Sequence, residues 1–210
     1  MSEGLLVVVS GFSGAGKGTL MKKLISEYDN YALSISATTR APRAGEQEGR
    51  EYFFKSRQEF EKLIENNELI EYASFCNNYY GTPYDYVMEQ RKKGKNVILE
   101  IEVQGALKVK EKYPDALLIF VTPPDAKTLK MRLAGRGTEC EKDIKDRLKQ
   151  AVRESDCMDR YDYILINDDL DTAVKELDSV INVDSKTRSY NSDIVNKIKK
   201  DLKLFFVEEE

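Results

Sequence analysis

Residues 11–19 read GFSGAGKGT, preceded by LLVVV and followed by LMKKLISEY. This order constrains the fold more than any other stretch of the chain. A short, continuous, Val-rich run is the pattern of a strand buried on both faces of a parallel sheet. Leu20, Met21, Leu24 and Ile25 then fall at helical spacing. Between strand and helix lies a G-x-x-x-x-G-K pattern made by Gly11, Gly16 and Lys17. Such a loop turns successive backbone N–H groups inward to cradle phosphate oxygens, and the helix N-terminus adds positive potential. Lys17 would run along the terminal phosphates. The candidate nucleotide loop is Gly11, Phe12, Ser13, Gly14, Ala15, Gly16, Lys17, Gly18 and Thr19. The strict pattern puts a hydroxyl residue directly after the lysine to ligate magnesium. Here Gly18 intervenes and Thr19 supplies the hydroxyl one place later. The alternative is a Gly-rich strand-to-helix turn with no ligand.

Buried-strand runs recur at 96–102 (NVILEIE), 116–122 (ALLIFVT) and 161–167 (YDYILIN). Helical patterns follow at 104–112, 125–134 and 171–182. This alternation predicts an α/β fold with a parallel sheet flanked by helices. Residues 37–85 break the rhythm. They open on a turn-rich polar stretch, and Ser56 then stands as an N-cap candidate before Phe60, Leu63 and Ile64. The segment reads as an inserted subdomain of short strands and one helix. Residues 125–155 are strongly charged and helical in pattern, interrupted at Gly135 and Gly137. The expected division is a core of 1–36, 86–124 and 156–185, an insertion at 37–85, a helical segment at 125–155 and a tail at 186–210. The tail has an amphipathic pattern and an acidic end.

Histidine is absent. That excludes Ser-His-Asp and Cys-His catalysis and every His-ligated metal. Any chemistry must use carboxylates, Arg, Lys, hydroxyls and backbone amides. The three cysteines, Cys76, Cys140 and Cys157, show no CxxC spacing and read as reduced thiols. With 37 acids against 33 bases and a formal charge of -4, the balance does not suggest a nucleic-acid partner. No apolar run approaches the ~20 residues of a membrane span, and no export signal is visible. The chain is therefore read as cytoplasmic.

From SISATTRAPRAGEQEGREYFF onward the chain resembles the guanylate kinase family. The likeness continues through LIEYA, NYYGTPYDYV, LEIEVQGA, PDALLIFVTPP, RLAGRGTE and YDYILINDDLD, over roughly residues 5–185. The G-K-G-T variant of the loop also resembles nucleoside monophosphate kinases. The resemblance implies a P-loop core, a GMP-binding insertion at 37–85 and a mobile lid at 125–155. It implies transfer of a phosphoryl group from ATP to GMP with Mg2+, so the expected partners are ATP and GMP. The sequence leaves oligomeric state open.

The resemblance also assigns roles, and the residue chemistry agrees with them. Guanine offers N1–H and N2–H₂ as donors and O6 as an acceptor. A carboxylate can accept from both donors while a hydroxyl donates to O6; adenine offers the reverse. By resemblance Glu71 is that carboxylate and Thr82 that hydroxyl, with Ser36 and Glu102 as further GMP contacts. Read alone, Glu71 could as well be a solvated helix-end charge. The GMP phosphate needs cations and hydroxyls, which Arg40, Arg43, Tyr52 and Tyr80 would supply. Arg132, Arg136 and Arg147 would neutralise the transferring group, Arg136 also lying near the adenine. Arg132 and Arg136 share a face if their helix continues through Gly135. Asn167 is expected on the adenine side, with a strand-end cap as the alternative. For metal, Thr19 and, through water, Glu100 are the candidates. Glu100 and Glu102 stand where the family more often has aspartates, and Phe12 replaces a common proline. Two other readings are a kinase for AMP and a non-catalytic module of the same shape that binds phosphorylated proteins.

Overall fold

The computed structural model describes residues 3–43, 45–75, 77–135 and 141–184. Arg136, Cys76, Cys140 and the tail at 186–210 lie outside the described residues. The first half of the chain runs β1 (Leu6–Gly11), α1 (Lys17–Glu27), β2 (Tyr31–Leu33), β3 (Ala37–Thr38), β4 (Phe53–Phe54), α2 (Arg57–Glu65), β5 (Leu69–Phe75) and β6 (Asn78–Pro83). The second runs α3 (Tyr84–Lys92), β7 (Asn96–Glu100), α4 (Val103–Lys112), β8 (Leu117–Thr122), α5 (Ala126–Ala134), α6 (Glu141–Ser155) and β9 (Tyr163–Ile166). A last helix, α7, spans 170–184.

Five strands form one parallel sheet in the order β2-β7-β1-β8-β9. Every residue of β1 is buried, as its unbroken apolar run requires of the central strand. α1 places Leu20, Met21 and Leu24 in the core, and α7 buries Ala173, Val174, Leu177 and Ile181. The order reverses direction at β1, with β7 on one side and β8 on the other. In open parallel sheets the crevice beyond the strand ends at such a switch point is where ligands bind. The glycine loop leaves β1 at that point.

β4-β3-β6-β5 make a second, four-stranded sheet. It has its own small core of Ala37, Phe60 and Leu69. α2 covers one face, where Phe60 stacks on Tyr79 with ring centroids 5.3 Å apart. Ser56 starts α2 through a reciprocal capping box with Glu59.

Several boundaries differ from the sequence expectation. The run at 96–102 stops being strand at Glu100, because Glu102 is already the N-cap of α4. β2 and α3 were not expected. α5 ends at Ala134 with Gly135 as its C-cap, so the shared face of Arg132 and Arg136 does not follow from one continuous helix.

Candidate active site

The loop between β1 and α1 opens into a cleft of about 450 Å³. Ser13, Gly14, Gly16, Lys17, Gly18, Thr19, Lys22, Glu100 and Glu102 line it. Gly16 is the N-cap of α1 at φ 88°, a left-handed conformation that side chains disfavour. A Cβ there would also lie 2.6 Å from the Asn167 amide nitrogen. That amide donates to the carbonyl of Ala15 at 2.8 Å, tying the end of β9 to the loop. Asn167 thus braces the loop from behind. Lys17 folds back over the loop and donates to the carbonyls of Gly11 (2.7 Å) and Phe12 (3.2 Å). Its ammonium stays within the loop that anionic oxygens would enter.

Glu100, the last residue of β7, faces Lys17. Burial pushes its carboxyl above the ordinary carboxylate range, and the Lys17 charge opposes that shift. A Cβ on Gly18 would lie 3.9 Å from Glu100 Oε1. The longer acid therefore reaches toward the place a side chain at 18 would occupy. Lys22, which sequence reasoning missed, lines the same cleft one turn along α1. Its signal was its position four residues after Gly18.

Arg132 and Arg147, from the charged helical segment, also bond at or beside the loop. Arg147 on α6 donates through Nη1 to Ser13 Oγ in the loop. Arg132 on α5 donates to the carbonyl of Asn167 at 2.8 Å. Near the C-terminal end of α6, Glu154 is buried and accepts from Gln150 at 3.2 Å.

The second group gathers on the face of the four-stranded sheet opposite α2. Along a strand alternate residues share a face, so Tyr80 and Thr82 of β6 point away from the Tyr79 side. β5 shifts register between Leu69 and Tyr72. Such a bulge re-aims side chains. It lets Leu69 join the Phe60 core while Glu71 turns to Thr82. Thr82 Oγ1 lies 2.8 Å from Glu71 Oε1, and both residues are buried. A carboxylate can only accept, so Thr82 donates. Burial pushes the Glu71 carboxyl upward, and the Thr82 bond and the Lys108 charge partly restore it. Glu71 Oε2 approaches α4 closely at Gly105, where a Cβ would lie 3.2 Å from it. Gly105 sits three residues after Glu102, the exposed N-cap residue that lines the loop cleft. The first turn of α4 thus joins the two groups.

Arg40 lies two residues beyond the end of β3. Its guanidinium stands 5.3 Å from the centroid of Tyr52, and the Tyr52 and Tyr80 rings are 6.1 Å apart. Arg40 Nη2 donates to both oxygens of Glu46, at 2.9 and 3.0 Å. Glu46 was absent from the sequence reading. Ser36 accepts from the Phe53 N–H through its carbonyl at 2.9 Å, holding β4 to the start of β3, just upstream of Arg40.

The family model described as guanylate kinase matches residues 3–184. The chain belongs to the guanylate kinase family. It is 46% identical over 199 residues to the guanylate kinase of Caldanaerobacter subterraneus subsp. tengcongensis, covering 95% of this chain and 97% of that one. It is 52% identical over 183 residues to that of Streptococcus thermophilus, covering 86% and 88%. The crystal structure of guanylate kinase from Anaplasma phagocytophilum superposes with a TM-score of 0.68 at 33% identity, covering 87% of this chain and 86% of that one.

Proposed function

We infer that the chain transfers the terminal phosphoryl group of ATP to the phosphate of GMP, giving ADP and GDP. The observation that carries this reading is the buried Glu71–Thr82 pair, linked through the first turn of α4 to the glycine loop. Guanine N1–H and N2–H₂ would donate to Glu71. On binding, Thr82 would turn its proton from Glu71 to O6, leaving the carboxylate to the two guanine donors. Ser36 and Glu102 complete the GMP side, and Arg40, Arg43, Tyr52 and Tyr80 hold its phosphate.

The backbone of Gly11 to Thr19 and the Lys17 ammonium take the ATP phosphates. Asn167 acts by holding the loop through Ala15, beside the adenine. Arg132, Arg136 and Arg147 close over the transferring group. The attacking atom is a phosphate oxygen already ionised near neutral pH, so no general base is required. Catalysis is alignment plus charge stabilisation.

The activity uses ATP with a metal ion, and we assign Mg2+. Its hard oxygen ligands fit the Thr19 hydroxyl and the Glu100 carboxylate, the latter through water. Held there, the ion would supply positive charge to offset that of the phosphates during transfer. The insertion at 37–85 and the segment at 125–155 are the parts proposed to close on the core of 1–36, 86–124 and 156–185, excluding water from the transfer. Among the described residues no helix is long and apolar enough to cross a membrane. The proposed setting is the cytoplasm.

Separating the two roles tests this reading. Lys17→Ala should mainly lower kcat, because the lysine acts on charge developing in transfer. Glu71→Ala should mainly raise KM for GMP. Equal effects of both variants on both constants would contradict the roles.

A further inference from the structure

We propose that Glu46 is a positioning residue for the GMP phosphate: it holds Arg40 and the Arg43 backbone in a fixed cationic fork before GMP arrives. This rests on the reading of Arg40 and Arg43 as groups that bind the GMP phosphate.

Three contacts converge on the Glu46 carboxylate. Arg40 Nη2 donates to Oε1 at 2.9 Å and to Oε2 at 3.0 Å, and the Arg43 N–H donates to Oε2 at 2.8 Å. The turn is closed by the Glu46 N–H, which donates to the Arg43 carbonyl at 3.1 Å. Glu46 is thus stitched to Arg43 by its own backbone and by its side chain. Arg40 Nη1 is spent on the carbonyl of Ala41 at 2.8 Å. With both terminal nitrogens engaged, the guanidinium plane is set, and the Tyr52 ring faces it. The side chains of the Arg40–Glu46 pair are only 15% and 17% exposed, so water screens the pair less than a surface pair. Arg40, then the Arg43 N–H, hold the Glu46 carboxyl below its ordinary range.

The opposite role is also conceivable for a carboxylate bound to an arginine fork. It could stand in for the phosphate and have to be displaced. The turn argues for positioning. Leaving Arg40 would not release Glu46 from Arg43, to which its side chain and N–H are both bonded. Free arginine side chains have several rotamers, and fixing one in advance removes that cost from binding.

The experiment measures KM for GMP, KM for ATP and kcat for Glu46→Ala, Glu46→Gln, Arg40→Ala and the Arg40→Ala/Glu46→Ala double variant. Losing a bond network to a charged group predicts a rise of about 10- to 100-fold in KM for GMP in Glu46→Ala. KM for ATP should hold. Glu46→Gln, which keeps one acceptor, should fall between. In the double variant, removal of Glu46 should add less to the loss from Arg40→Ala than it costs alone, because only its hold on Arg43 remains to be lost. A lower KM for GMP in Glu46→Ala would establish the stand-in role and overturn the proposal. Parallel loss for both nucleotides in Glu46→Gln would mark a merely structural residue and overturn it too. If Arg40→Ala leaves KM for GMP unchanged, the phosphate-site reading itself has failed. If Arg40→Ala raises it and neither Glu46 variant does, only the positioning inference has failed.

Discussion

Glu71→Gln changes one oxygen to an NH₂ group with almost no change in shape, so its effect isolates the base-reading chemistry. In the wild type, Oε1 meets the Thr82 hydroxyl at 2.8 Å and Oε2 lies against Gly105. If the amide oxygen keeps the Thr82 contact, the NH₂ stands where Oε2 was. There it presents a donor to the guanine donors. Two bonds to a charged acceptor are lost, at about 1.5 kcal/mol each, or about 3 kcal/mol together. That corresponds to a fall of about 10²-fold in kcat/KM for GMP. If the amide flips instead, its oxygen can accept one guanine bond, but the NH₂ then faces Thr82, which must turn its proton away. The NH₂ can also donate to adenine N1, an acceptor where guanine carries N1–H. The preference for GMP over AMP should therefore shrink through both a loss and a gain. The assay is initial-rate ADP formation with each acceptor at saturating ATP. Unchanged kcat/KM for GMP, with AMP still refused, would refute the assignment of Glu71 to the guanine edge.

Other outcomes follow from the same geometry. Glu71 reads guanine as a carboxylate, and burial raises its pKa above the ordinary 4.5. kcat/KM for GMP should thus fall as pH drops through that raised value, and this step should be missing from the profile of Glu71→Gln. The stability sign is the reverse: a raised folded pKa gives stabilisation present below the unfolded value and lost as pH rises through the folded one. Urea melts above that window should therefore show Glu71→Gln no less stable than wild type. Gly16→Ala meets both a φ of 88° and an Asn167 nitrogen 2.6 Å from the new Cβ. It should weaken ATP binding by at least about fivefold in direct titration, since strained backbone costs about 1–3 kcal/mol; unaltered affinity would contradict the account of the loop.

The strand, glycine loop and helix at the start were legible because each states its structure locally. The apolar run, the helical spacing of Leu20, Met21 and Leu24, and the loop pattern agree. β8, β9, α4 and α7 were legible for the same reason. β2 has only three residues, and its pairing to β7 is a long-range fact. α3 buries Val87 alone among its residues, so it carries little periodic signal. The Glu71–Thr82 pair depends on cross-strand register and a bulge, neither of which spacing reveals; only the family likeness drew attention to those positions. Glu46 escaped notice because an acid three residues after Arg43 in a polar turn looks like ordinary surface charge. Its role emerges only when the turn folds it back on Arg43 and Arg40. Asn167 was expected beside the adenine, but its bond to Ala15 needs β9 to lie behind the loop.

The most direct measurement is ADP formation by the purified protein with Mg2+ and ATP, offered GMP, AMP, CMP and UMP separately. The account predicts rapid ADP formation with GMP alone, which would also show that Gly18 leaves the loop competent. Comparable turnover with AMP, or none with any acceptor, would contradict it.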